Sequence, residues 1–428
     1  MSNLSYINTG VKFDQGQLYN VPTDESVGGM LFDISGFKNP FDGYPLLYNN
    51  FKNGTAQRIY NMDDAELLGI VNDGFLNGLL YYHISQFYNY IEGNQELYIV
   101  ICDCSKNWDI IPSMQLQTSG RMFQIGVWTA QPVWSRNLDG SIGFTSMIGN
   151  IQAQADEICG KVGKSTNMAT PLNIILFPNT NYIEGTDVNY KELPDATVLS
   201  CPKVSVVMAQ NGSDEIHNIQ KNMPNNAPVN SLGFMMACLA ICGAEESVGS
   251  LQRCDLNKGE QFNYPELGFG KTYTPITEVN RLWANTLSAK GYIIPIDYEG
   301  LEASYFFSSD QTLDDGDFSS LANNRVMHKC RRAACTVLYP YVNSYHIYDP
   351  VTKTISATSI AIITDSINTI LDSVMKNKYG NQQIGGRSVE FLKESDVLET
   401  DAVSMRLLIN PINYSGFIEE KVYHDITT

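Results

Sequence analysis

Positive charge is scarce in this 428-residue chain: 28 Lys and Arg stand against 46 Asp and Glu, a formal net charge of −18. Nucleic-acid and anionic-membrane surfaces are bound by clustered cations that release counterions, so this balance argues against both as partners. Histidine is scarcer still. The five residues His83, His217, His328, His346 and His424 are scattered along the chain. A metal centre needs several such ligands converging, so no metal and no cofactor is expected. Long apolar runs are also missing. Nothing approaches the roughly twenty residues that a membrane-crossing helix needs. The opening MSNLSYINTG has no basic stretch followed by an apolar one, so neither a secretory leader nor direct membrane insertion is expected.

Catalytic motifs are absent as well. No G-x-S-x-G elbow occurs, and no histidine sits in a context that marks it as a general base. Gly270-Lys271-Thr272 has the end of a phosphate loop but not its start, because the position that must be glycine is Pro265. Gly385-Gly386-Arg387 reads as a tight turn between a helix and a strand. The acidic pairs Asp63-Asp64 and Asp314-Asp315 read as helix or turn caps, since catalytic carboxylate pairs come from distant positions. The nine cysteines form no disulfide framework. Cys238 and Cys242 lie one helical turn apart in an apolar run, Cys330 and Cys335 share a helical stretch, and Cys102 and Cys104 share a strand face, so they read as reduced core thiols.

What is present is a rich apolar supply: 43% of residues are hydrophobic, with 24 Tyr and 18 Phe, enough for a large core and for large interfaces. The runs ELYIVIC (96–102), MFQIGVWT (122–129), LNIILF (172–177) and VSVVM (204–208) alternate with helical patterns at 151–159 and 232–246. Short apolar strands separated by helices predict a mostly parallel sheet covered on both faces, an α/β domain. From Gly291 the pattern changes to longer strands, then helices near 319–339 and 359–378, then two closing strands; this part reads as a separate α+β domain. The expected organisation is 1–20 as an N-terminal arm, 21–95 as an α+β region, 96–286 as the central α/β domain, 287–416 as the C-terminal domain and 417–428 as a C-terminal arm. The basic run Arg325, Lys329, Arg331 and Arg332 reads as a solvated helix face or, failing that, a contact between copies. His328 on the same helix reads as surface or partner-facing.

The order of segments carries a further signal. DAELLG (64–69), LYYHISQF (80–87), ELYIVI (96–101), KVSVVM (203–208), AEESVG (244–249) and, above all, LSAKGYIIP, YFFSSDQTL, NNRVMHKCRRAA and LYPYV within 287–342 follow one another before a helix leading to Gln383-Ile384-Gly385-Gly386. This order resembles the contractile tail-sheath family of phages and related injection systems, in the short form of Bacteroidetes-type systems. The resemblance implies a central subtilisin-like α/β domain without catalytic residues, a C-terminal α+β sheath domain, and extended arms at both ends that add strands to neighbouring copies. Val11 and Phe13 at one end, and Phe417, Ile418, Val422 and Tyr423 at the other, would form the arm strands.

It further implies a structural subunit, not an enzyme, that polymerises helically around an inner tube and contracts to drive it through a target envelope. Its partners would be itself, the inner-tube protein, and baseplate and terminator or cap proteins. The setting would be a virion tail or injection particle assembled in the bacterial cytoplasm. Tube contact would come from the helix before the Gly-Gly pair, through the apolar stripe Ile367, Ile370, Leu371 and Val374 with the cations Lys376, Lys378 and Arg387. The rival readings are another structural protein of a virion or injection system, and an unrecognised α/β hydrolase.

Overall fold

Side chains alternate faces along a strand, so a run that is apolar at every position can be satisfied only between two layers of helix. The computed structural model describes residues 23–159, 170–181, 190–267, 274–275, 281–301, 303–341, 348–349, 351, 354–391 and 405–412, and it shows that arrangement. A seven-stranded sheet runs in the order Tyr292–Ile293, Val204–Val207, Asn173–Asn179, Gln124–Pro132, Gly28–Asp33, Leu97–Cys102, Gln57–Ile59. All neighbours are parallel except the last pair. Met30, Phe32, Ile99, Ile101, Trp128, Ile175 and Phe177 point to one face, under the helices Leu76–Ile91 and Leu232–Ile241. Leu31, Val100, Ile125, Val127, Ile174 and Leu176 point to the other, under Ile110–Gln117 and Met147–Cys159.

The helix Leu232–Ile241 lies so close to Leu76–Ile91 that a Cβ on Gly233 would sit 2.3 Å from the His83 carbonyl oxygen. Only glycine permits that approach.

The expected boundaries do not follow this sheet. Gly28–Asp33 and Gln57–Ile59 come from the segment assigned to a separate N-terminal region, and Tyr292–Ile293 comes from the segment assigned to the C-terminal domain. The longer strands expected from Gly291 are instead this short edge strand and the hairpin Pro295–Asp297 with Tyr305–Phe307.

A third apolar cluster belongs to the C-terminal part. There the helices Leu321–Leu338 and Ala357–Val374 pack on the antiparallel hairpin Ile384–Phe391 with Met405–Pro411. Gly385-Gly386 is not a turn; it lies inside the first hairpin strand, where the register shifts. The segments holding Val11, Phe13, Phe417, Ile418, Val422 and Tyr423 lie outside the described residues, as do Gly270-Lys271-Thr272, His346 and His424.

The basic helix overturns its reading. Arg325, Lys329 and Arg332, spaced i, i+4 and i+7, form one stripe, and all three are buried, as is His328. The Arg325 guanidinium donates to the carbonyls of Leu239 (2.8 Å), Gly243 (3.1 Å), Cys242 (3.2 Å) and Glu25 (3.3 Å). Arg332 donates to the carbonyls of Gly120 (2.6 Å), Met122 (2.6 Å) and Pro171 (2.7 Å), with its guanidinium 3.9 Å from the centre of the Phe123 ring. Lys329 bridges Glu25 at 2.8 Å and donates to Gln383 Oε1 at 2.7 Å.

These contacts join the C-terminal helix to the loops that enter three central strands and to the end of the helix Leu232–Ile241. Replacing Arg332 by Met keeps most of the stem but strips three buried carbonyls of this donor. The variant should lose about 3 kcal/mol of stability in urea unfolding followed by tryptophan fluorescence, whereas a loss under about 1 kcal/mol would show that the carbonyls find other donors.

Candidate functional site

In a parallel sheet, chemistry collects at the carboxyl ends of the strands, where the chain reverses its direction of travel across the sheet. Here the chain moves from Gly28–Asp33 to Leu97–Cys102 on one side and then to Gln124–Pro132 on the other. The reversal places Asp33, fully buried, opposite the end of the strand carrying Thr129 and Gln131.

Asp33 was not singled out from the sequence. Its Oδ1 accepts from the backbone N–H of Ser35 (2.9 Å) and Cys104 (3.0 Å). Its Oδ2 accepts from Ser35 Oγ (2.8 Å), Thr129 Oγ1 (2.6 Å) and Gln131 Nε2 (2.8 Å). Five donors occupy both oxygens, and they tie the loops holding Ser35 and Cys104 to the end of the strand carrying Thr129 and Gln131. A catalytic carboxylate would orient an imidazole; this one holds two main-chain N–H groups and three side chains.

The adjoining cavity, about 350 Å³, is lined by Cys104, Lys106, Trp108, Gln131, Thr145 and Ser146 among others, and the lining includes no imidazole or carboxylate. The Cys104 thiol is pushed far up by its hydrogen bond with Cys102, by burial and by the neighbouring Asp33, so it stays protonated and is a poor nucleophile.

The histidines do other work. His83 is fully buried beside Phe32, and its Nδ1 accepts from the Gly233 N–H at 3.4 Å; burial lowers its pKa to about 3. His328 is likewise held well below its ordinary value, by burial and by Lys203, Arg332 and Arg331, which corrects its reading as a surface residue. His217 pairs with Glu266 at 3.1 Å beside a cavity of about 370 Å³ whose lining, Asp214, His217, Asn218, Gln220, Lys221 and Asn226, offers no hydroxyl or thiol.

The residues expected to meet a tube divide. Ile367 and Leu371 are fully buried in the C-terminal core, and Ile370 and Val374 pack against it. The stripe therefore faces the domain's own interior: the periodicity was that of a core helix. Arg387 is engaged by Asp372 at 2.6 Å and by Asn368 at 2.9 Å. Lys376 and Lys378 are exposed.

Beyond them stands the hairpin, with Val389, Phe391, Met405, Leu407 and Ile409 on the core and Glu390, Arg406 and Leu408 turned out. Among the described residues it pairs with no further strand.

The whole described molecule has a counterpart among solved structures. A chain of the sheath complex of the extracellular contractile injection system PVC, in its contracted state, covers 100% of this chain with 99% of its own length, at 12% identity and a TM-score of 0.56. The two chains share a fold. A chain of the anti-feeding prophage baseplate covers 100% of both at 11% identity and a TM-score of 0.51. No family model and no curated protein matches the sequence. Identities this low show the architecture, which agrees with the resemblance read from segment order. No helix among the described residues is long and apolar enough to cross a membrane.

The buried imidazoles predict an acid response. An unfolded histidine takes a proton near 6.5, whereas folded His83 resists until about 3, so the unfolded state binds more protons between those values and stability falls as pH drops through them. Glu25 adds to this at lower pH. Burial opposes its charge, but the Lys329 ammonium and hydrogen bonds hold its carboxyl below the usual 4.5, so its contribution is present above that value and is lost as pH falls through the depressed one. Urea midpoints measured from pH 7 to pH 3 should decline throughout, and His83→Gln should flatten the upper part of the decline.

Proposed function

We propose that this chain is a structural subunit of a contractile sheath, polymerising helically around an inner tube and contracting to drive that tube through a target envelope. The observation that carries the reading is the whole-length likeness to the PVC sheath-complex chain. The open hairpin supports it physically. A two-stranded sheet is marginal alone, and strands added from neighbouring copies would complete it through main-chain hydrogen bonds without requiring much apolar surface. In this proposal Val11 and Phe13, and Phe417, Ile418, Val422 and Tyr423, belong to the segments that cross to neighbours.

The rigid joint at Arg325, Lys329 and Arg332 lets each copy move as one body while those segments keep the lattice connected. Work is then stored in interfaces, a few kcal/mol per copy, and no nucleotide is consumed. The partners are further copies, an inner-tube protein, and baseplate and terminator proteins. Lys376 and Lys378 are the tube-facing cations of the original set, because Arg387 is already paired. The particle is a phage tail or an injection system assembled in the bacterial cytoplasm.

The likeness to the anti-feeding prophage baseplate chain favours one second reading, a baseplate component. Negative-stain microscopy of purified protein separates the two: long hollow cylinders are expected, whereas discrete rings would move the assignment to the baseplate, and monomers would refute both. Where cylinders form on tubes, Lys376→Glu with Lys378→Glu should cut the decorated tube length severalfold; undiminished decoration would remove these lysines from the contact.

A further inference from the structure

Two of the cysteines read from sequence as reduced core thiols lie in contact. Cys242 ends the helix Leu232–Ile241, and its Sγ lies 3.2 Å from the Sγ of Cys254, across a loop. Both residues are buried. A disulfide sulfur pair is about 2.05 Å apart, so closing this one needs a movement of about 1.2 Å. Cys238, one turn before Cys242, is near enough to Cys254 to raise its thiol.

The loop between the two thiols carries much of the joint. The carbonyls of Cys242 and Gly243 accept from Arg325, Glu245 receives Gln383 and Asn377, and Glu246 pairs with Arg253 at 2.9 Å. Just after it, Asp255 holds Ser304 and Tyr305 of the neighbouring hairpin segment.

We propose that Cys242 and Cys254 are a cross-linking site, and that their disulfide staples the acceptor loop of the joint to the end of its supporting helix. The two thiols give up two protons and two electrons to a small-molecule disulfide such as oxidised glutathione, which leaves as two thiols; a mixed disulfide forms on one cysteine and the other resolves it. Contact with Cys254 and burial hold the Cys242 thiol above its ordinary range, and the neighbouring Cys238 thiol and burial do the same for Cys254, so the reaction is slow at neutral pH and speeds up as pH rises or as the loop opens. A short closed loop of this kind restricts the unfolded chain and the open loop alike. The inference stands whether or not the chain forms a sheath.

The test uses the full chain incubated with oxidised glutathione at pH 8, native and also refolded from urea in the same buffer, followed by non-reducing peptide mapping. The expected product is a peptide pair joining Cys242 to Cys254, lighter by two hydrogen atoms. Amide exchange across 243–253 should slow by roughly tenfold relative to the reduced protein. Cys254→Ser should abolish the product, and Cys238→Ser should leave it intact. Free thiols at both positions after refolding, or a Cys238–Cys254 link in their place, would overturn the assignment.

Discussion

Two apolar bodies meet in this molecule across a polar seam, and the seam is built from cations directed at main-chain oxygens. Arg325 and Arg332 reach seven carbonyls between them, in loops at 25, 120–122 and 171 and around a helix end at 239–243. Burying a guanidinium costs several kcal/mol of hydration, which only a nearly complete set of acceptors can offset. Such a set exists in one relative placement of the two bodies. A greasy interface would tolerate sliding; this one specifies an orientation, because a shift of an ångström or two would leave buried charge unpartnered. Lys329 adds an ionic partner at the centre, Glu25, just inside the N-terminal limit of the described chain.

The same seam marks where sequence reading stopped. A run of four cations on a helix looks solvated because its counter-groups are expected to be side chains, and carbonyl oxygens leave no trace in composition. The stripe Ile367, Ile370, Leu371 and Val374 failed differently: its periodicity is genuine, but periodicity identifies a buried face without saying what buries it. By contrast, Leu97–Cys102, Gln124–Pro132, Asn173–Asn179 and Val204–Val207 were legible, since continuous β-branched and aromatic runs have few alternatives to a doubly covered strand. Gly28–Asp33 escaped notice although it lies near the middle of the sheet. Its two glycines weaken any strand signal, and the ends of Met236 and Met122 fill the space where their Cβ atoms would stand.

Asp33 shows how a locus suited to catalysis can serve architecture. It stands where an α/β enzyme would place a functional carboxylate, but both oxygens are occupied by donors from two loops and the end of a third strand. Fold and function part company at this residue. The position keeps its geometric importance, as the point where the carboxyl ends of three neighbouring strands meet, while its oxygens are taken up in holding them.

Gln383 has a wider reach than its size indicates. Its side chain receives Lys329 and donates to Glu25 and Glu245, and its carbonyl accepts from the N–H of Ile412. Residue 25, near the start of the described chain, and residue 412, at its end, are thus separated by one buried amide. A pull applied at either limit is felt at the other across a few ångströms, and the seven-stranded sheet lies off that line of force. The bulk of the molecule can then act as a passive lever arm, free to differ in detail, while traction runs through a polar knot a few side chains wide.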